Sequence, residues 1–366
     1  MNQKRGTSRK LKPTIVKLHR WVGLFIAAFL VLQALTGIII SFRDELNGAL
    51  YHTDAGPNDT PATYEQILAA AKNHQPDRPI RNIVVPSQPG DAYLINYQAA
   101  PHARPTLAAL SPHDATVVHS GSLLAFPVEA AFELHYRLLM GKQGQNLSGA
   151  LALLFLGMLG TGLYLWWPKG PLRRGFQVKL TAARVRAIFD IHRVVAAGGA
   201  IALIMMAITG FLLAVPDILG SKTSATPSVA SHAGAPVTLD QIITNSQNLA
   251  AGHTPYKIAF SRDGQLVTLI YKSINEAVNP RATDSIMVDA STGHVVAVNR
   301  FEGAGVRQKG LSWALAFHTF DITGWLARPL SLIAGMLLAV ISITGIWLWL
   351  LRRAARKPAI RRRPST

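Results

Sequence analysis

The sequence predicts a membrane α-helical plus α+β protein: four transmembrane helices in two tandem halves, each half carrying one soluble insertion. Three observations predict it. First, four apolar runs are long enough to cross a bilayer, and mean hydropathy is +0.23 although the 366-residue chain carries a formal charge of +18. Second, the basic residues are confined. Segments 1–20, 168–193 and 352–366 each hold seven Lys+Arg, with Asp190 their single acid, and the rest of the chain is slightly acidic. Third, the chain repeats itself. His19 and His192 are 173 residues apart, as are Thr36-Gly37 and Thr209-Gly210. His135 and His318 are 183 apart, as are Thr161-Gly162 and Thr344-Gly345. Each apolar run therefore carries one Thr-Gly pair and goes with one histidine, and such repetition is read before finer detail.

Basic clusters that flank apolar runs are the positive-inside signature. They put both termini in the cytoplasm and the insertions in the periplasm of a bacterial inner membrane. The lipid bilayer is then the partner of the basic surface, and nucleic acid is not. With no cysteine, disulfides, zinc ribbons, cysteine-ligated clusters and Cys-x-x-Cys-His haem attachment are excluded. No His-Glu-x-x-His, P-loop or Gly-x-Gly-x-x-Gly occurs, so metalloprotease, ATPase and dinucleotide readings have no support.

Residues 1–42 form the basic tail and first span; the apolar run from Trp21 exceeds a signal peptide's apolar region and lacks a small-x-small site. Residues 43–126 are the first insertion. Thr63-Tyr64-Glu65-Gln66 opens a helix, and Ile80–Val85, Asp91–Tyr97, Leu107–Leu110 and Thr116–His119 read as strands. Residues 127–167 hold an amphipathic helix around His135 and a span over 147–167, ending in Trp166-Trp167. A basic loop, 168–186, leads to the third span, 187–215. The second insertion, 216–310, opens with a Ser/Thr/Ala/Pro-rich linker, Ser221–Pro236. A Thr238-led helix follows, then strands at Tyr256–Phe260, Gln265–Tyr271, Ser285–Asp289 and Val295–Asn299. Residues 311–351 repeat the amphipathic element, around His318, and the span, before the basic tail 352–366.

The topology puts His19 and His192 at the cytoplasmic end and His135 and His318 at the periplasmic end. Equivalent residues of two halves packed about a pseudo-two-fold axis face each other, and two imidazoles on opposite sides of one planar cofactor is bis-histidine haem ligation. Gly23, Ala196 and Gly199 follow the inner histidines on the same helical faces and offer a flat strip. Arg20 and Arg193 stand where haem propionates would lie. A different histidine pairing arises if the amphipathic helices dip into the bilayer. The Thr-Gly pairs read as helix-packing surfaces. His52, His74, His102, His113, His119, His232, His253 and His294 lack duplicated spacing and read as surface residues.

Leu18-His19-Arg20-Trp21-Val22-Gly23, with the Thr-Gly spans, resembles the PepSY-associated transmembrane family. Val194 stands where the second half would match Trp21. The resemblance implies a PepSY-like helix-plus-strands module in each insertion. Within the family the chain is similar to inner-membrane ferric-siderophore reductases of the FoxB type. That similarity implies haem b, two per chain by the four histidines, metal ligands at His19, His135, His192 and His318, and electron transfer from an unidentified donor to a periplasmic ferric siderophore. Tyr136, Arg137 and Trp313 are candidate substrate contacts. Two other classes compete. A PepSY-type membrane-anchored regulatory module predicts no chromophore. A siderophore permease predicts broken helices and a polar midplane.

Overall fold

A computed structural model describes residues 4–56, 60–99, 104–181, 183–219, 237–273 and 277–355, with side chains from residue 11. The predicted linker Ser221–Pro236, His102, His232 and the tail beyond residue 355 lie outside them.

The first insertion follows α1 (Lys4–Ser41). It comprises α2 (Arg43–Tyr51), α3 (Tyr64–His74), β1 (Ile80–Val84), β2 (Tyr93–Tyr97), β3 (Thr106–Leu110) and β4 (Val117–Ser122). Then come α4 (Pro127–Arg137), α5 (Gly141–Trp166), α6 (Arg184–Gly198) and α7 (Ala200–Ala214). The second insertion comprises α8 (Leu239–Ser246), β5 (Lys257–Phe260), β6 (Leu266–Lys272), β7 (Thr283–Asp289) and β8 (Val295–Asn299). α9 (Val306–His318) and α10 (Ala327–Ala354) complete the chain.

The chain divides into two compact units. A helical unit holds Met1–Ile38, His135–Val215 and Leu326–Thr366; a sheet unit holds Ile39–Leu134 and Pro216–Trp325. Three helical stretches, Leu11–Ser41, Gly141–Trp166 and Val306–Ala354, are long and apolar enough to cross a membrane, and the α6–α7 pair makes a fourth if counted as one span. In the helical unit one core joins all four: Ile26, Leu30 and Ala34 of α1, Leu151, Phe155 and Leu159 of α5, Leu203 and Ala207 of α7, Leu338 and Ile341 of α10.

Two boundaries differ from the sequence expectation. The span expected over 147–167 begins at Gly141, because Gln143, Gln145 and Asn146 continue the helix instead of ending in a loop. The span expected over 187–215 is two helices bent by 64°. The bend falls at Gly199, inside Gly198-Gly199-Ala200, where glycine costs about 1 kcal/mol of helix propensity per residue.

All eight predicted strands form, and they form a single antiparallel sheet in the order β4-β3-β2-β1-β5-β6-β7-β8. Each insertion supplies four strands as a meander, and the seam is the pairing of β1 with β5 through Ile83 and Ile258. Both α3 and α8 start on a capping box, Thr63 with Gln66 and Thr238 with Gln241. Both pack on the same sheet face, where Ile67, Leu68, Ile242 and Ile243 meet Ile83, Ile95, Ile258, Leu269 and Ile286. Tyr97 is buried there, its hydroxyl donating to the Ala71 carbonyl at 2.9 Å, and burial pushes the phenol up to about 12.

The helix starts are tied reciprocally. Asp240 accepts from the backbone N–H groups of Tyr64 and Glu65 at 3.0 and 2.9 Å, and Glu65 accepts from that of Leu239 at 2.7 Å. Each carboxylate thus sits at the positive end of the other insertion's helix. Asp240→Asn keeps one acceptor and removes the charge from two such bonds. The expected loss is about 1–3 kcal/mol, read as a lower thermal midpoint of the full chain in detergent. An unchanged midpoint would mean the clasp contributes nothing net.

Candidate functional site

The four repeated histidines are placed on helices next to polar groups of other helices. His19 lies on α1 and its Nδ1 is 2.9 Å from Thr161 Oγ1 of α5. His192 lies on α6 and its Nδ1 is 3.1 Å from Thr344 Oγ1 of α10. His135 lies in the last turn of α4 and its Nδ1 is 3.0 Å from Thr36 Oγ1 of α1; Gln33 Nε2 also donates to the His135 carbonyl at 3.0 Å. The Thr-Gly pairs are therefore not packing surfaces alone, as read from the sequence. Three of their four threonines, Thr36, Thr161 and Thr344, are hydrogen-bond partners of histidines on other helices.

The direction of these bonds follows from counting protons. A threonine hydroxyl has one hydrogen. Thr161 gives it to the Met158 carbonyl at 3.0 Å, Thr344 to that of Val340 at 2.6 Å, and Thr36 to that of Leu32 at 2.7 Å. Each hydroxyl oxygen is left as an acceptor, so each histidine must donate from Nδ1. The proton is then on Nδ1, and Nε2 is the second ring nitrogen. A metal-ligating histidine is usually held this way, its other nitrogen donating to a fixed acceptor. Thr209 makes the same back-bond, to Met205 at 2.7 Å. His318 ends α9 in the sheet unit.

In these three pairs the glycine makes room for the ring. A Cβ on Gly162 would stand 3.3 Å from His19 Cε1, one on Gly37 3.2 Å from His135 Cε1, and one on Gly345 3.4 Å from His192 Cε1. The constant spacings group His19 with Thr36-Gly37, His192 with Thr209-Gly210 and His135 with Thr161-Gly162; the structure instead sets His19 against Thr161, His135 against Thr36 and His192 against Thr344, because each threonine meets a histidine of a neighbouring helix and not of its own segment. His19 and His192 also lie within electrostatic reach of each other.

Arg20 and Arg193 follow these two histidines, and in each the guanidinium Nε is buried without a hydrogen-bond partner among the described residues. Arg20 lies over the Trp21 ring at 5.5 Å. Arg193 donates to the Gln177 carbonyl at 2.9 Å and stands 3.4 Å from Asp190, which is fully buried. Lys17 occupies the repeat position of Asp190, so the two arginines differ in their partners. The predicted flat strip is lined as follows. Gly23 stands 2.8 Å, measured from a built Cβ, from the Met158 methyl, and Gly199 3.0 Å from a Leu337 methyl. Ala196 is half-buried beside the core. The strip is thus faced by the movable ends of two flexible side chains.

The other candidates are tied locally. Tyr136 accepts from Gln145 Nε2 at 2.9 Å and carries Arg137 over its ring at 4.9 Å; Trp313 lies against Phe317 at 5.9 Å. Of the histidines read as surface residues, His119 departs from that reading: it stacks on Tyr51 at 5.5 Å and meets Phe126 at 4.8 Å. Among the described residues no three His, Asp or Glu side chains converge as a metal site.

Helices that cross a bilayer and an eight-stranded antiparallel sheet define a multi-pass α+β membrane protein. The chain belongs to the PepSY-associated transmembrane family, whose PepSY-associated TM region matches residues 16–363. No curated protein matches it.

Proposed function

We propose that the protein is a haem-containing reductase of the bacterial inner membrane, with its insertions in the periplasm, that passes electrons to ferric siderophores and so releases iron. The observation that carries this reading is the histidine–threonine pairing: at His19, His135 and His192 the threonine hydroxyl proton is used within its own helix, so Nδ1 is the donor and Nε2 is the nitrogen we assign as ligand.

The residues present fit haem b. His19 and His192 offer two imidazoles in the same helical unit, and Arg20 and Arg193 each offer a guanidinium Nε–H with no hydrogen-bond partner among the described residues, suited to a carboxylate. Such a group supplies a one-electron couple when bound. The chain's own residues hold the imidazoles in one tautomer, orient them through Thr161 and Thr344, and balance propionate charge with arginine. His135 is held by Thr36 in the same way, 17 residues along α1 from the level of His19, or roughly 25 Å at helical rise. By the repeat spacing His318 is the counterpart of His135 and completes the four proposed ligands.

The reaction takes one electron from a reduced donor and gives it to chelated Fe³⁺, leaving Fe²⁺. Ferrous iron is a poorer match for hard anionic oxygen ligands, so the chelate lets it go. The test is reoxidation: the reduced protein, mixed with a ferric siderophore without oxygen, is expected to return to its oxidised spectrum as a ferrous chelator develops colour. A spectrum that stays reduced would refute ferric-siderophore reduction.

A further inference from the structure

The sheet has a second face, away from α3 and α8, and three cations meet on it at the seam between the insertions. Lys257 is in register with Val84 on β1 and Ile270 on β6. Its neighbour Ile258 faces the core, so alternation turns Lys257 to the opposite face. Arg81 sits where the β1–β2 register slips between Ile80 and Asn82. Ile80 and Ile83 both face the core, so the irregularity turns Arg81 with Asn82 toward Lys257. Arg43, from the start of α2, is the third cation. The charges of Arg81 and Arg43 both act on Lys257.

The acid in this group is already engaged. Glu129 is 6 % exposed and takes both Arg43 Nε at 2.9 Å and Asn47 Nδ2 at 3.1 Å. Among the described residues the Lys257 ammonium makes no hydrogen bond or close ion pair, although the charge of Glu129 also acts on it. Burial first, then Arg81 and Arg43, hold its ammonium below the usual lysine range. Three cations against one acid leave a local surplus of two positive charges on a half-buried surface. A protein meets the cost of such a surplus when an anion neutralises it.

Coverage of the face is uneven. Over the first insertion, Tyr51, Phe126 and Leu123 cover Leu94, Leu107 and Ala109. Over the second, Ala259, Thr268, Ile270, Ser285 and Met287 are only half-buried. Lys257 stands where the covered part ends and the open part begins. Asn82 and Asn96, bonded to each other at 3.1 Å beside it, add amide groups suited to oxygen-rich ligands.

We propose that Arg43, Arg81 and Lys257 form a docking site for an anionic, oxygen-rich metal chelate. The substrate class is thereby an anionic ferric chelate and not a cationic one. The word substrate rests on the reductase reading; binding does not.

The test is calorimetric titration of the full chain in detergent with gallium(III) citrate, which is anionic and redox-inert under these conditions. Metal-free citrate and cationic gallium ferrioxamine B are the comparisons. Gallium citrate is expected to bind best, and more weakly as salt rises. Lys257→Gln and Arg81→Gln are each expected to weaken it about tenfold, with an unchanged thermal midpoint, since each removes a charge from a surplus. Equal affinity for the cationic chelate, equal affinity for citrate alone, or binding indifferent to both variants would each overturn the proposal. Because gallium citrate takes no electron here, the result stands apart from whether the protein reduces iron.

Discussion

The double replacement His19→Ala with His192→Ala is expected to halve the haem bound per chain and leave the protein folded. Both rings are held by neutral hydrogen bonds at helix interfaces, to Thr161 for His19 and to Thr344 and the Ile341 backbone for His192, whereas the core of the helical unit runs through Ile26, Leu151, Leu203 and Leu338. Removing the rings therefore takes away two ligands without dissecting the core. The measurement is haem quantified per chain, with and without added imidazole. Imidazole is expected to restore binding in part, because the variant leaves two ring-sized gaps beside Gly162 and Gly345. Unchanged haem content would place the ligands elsewhere in the chain.

Thr344→Val should show that the hydrogen bond, and not packing, is what the Thr-Gly pair contributes. Valine keeps the shape of threonine and removes the acceptor. His192 Nδ1 then loses the partner that fixes its tautomer and ring plane, at a cost of about 1–3 kcal/mol if it finds no other. Loss of such an outer partner lowers metal affinity about 10–100-fold in ligand histidines, so haem affinity in titration of the haem-free chain is expected to fall by that order. Thr344→Ser keeps the hydroxyl and is expected to keep the affinity. Thr161→Val should act in the same way on His19. Valine variants that bind haem like the parent would return these pairs to simple helix packing.

Much of this architecture was legible in the sequence because its signals are local. The strands around Ile83, Ile95, Leu269 and Ile286 are short apolar runs bounded by turn residues. The starts of α3 and α8 are written in Thr-x-x-Gln. The positions of the histidines were legible through the repeat. What escaped was non-local. His19 reaches Thr161 across 142 residues and His192 reaches Thr344 across 152, and no periodicity encodes which of four similar helices lies beside which. The joining of two meanders into one sheet escaped for the same reason, since the β1–β5 seam rests on a short pairing of ordinary strand residues such as Ile83 and Ile258. The bend at Gly199 was carried by two adjacent glycines, a weak signal inside an apolar run. The seam cations were hidden because Arg81 faces Lys257 only through an irregularity in β1 that its sequence does not announce.

The central claim is that the repeated histidines ligate haem, and a visible absorption spectrum tests it most directly. The full chain would be purified in detergent from haem-sufficient cells and measured oxidised and then reduced with dithionite. A sharp Soret band that shifts on reduction, with distinct α and β bands and two haems per chain, is the predicted result. A colourless protein would contradict the claim and leave a membrane-anchored PepSY module without redox activity as the better reading.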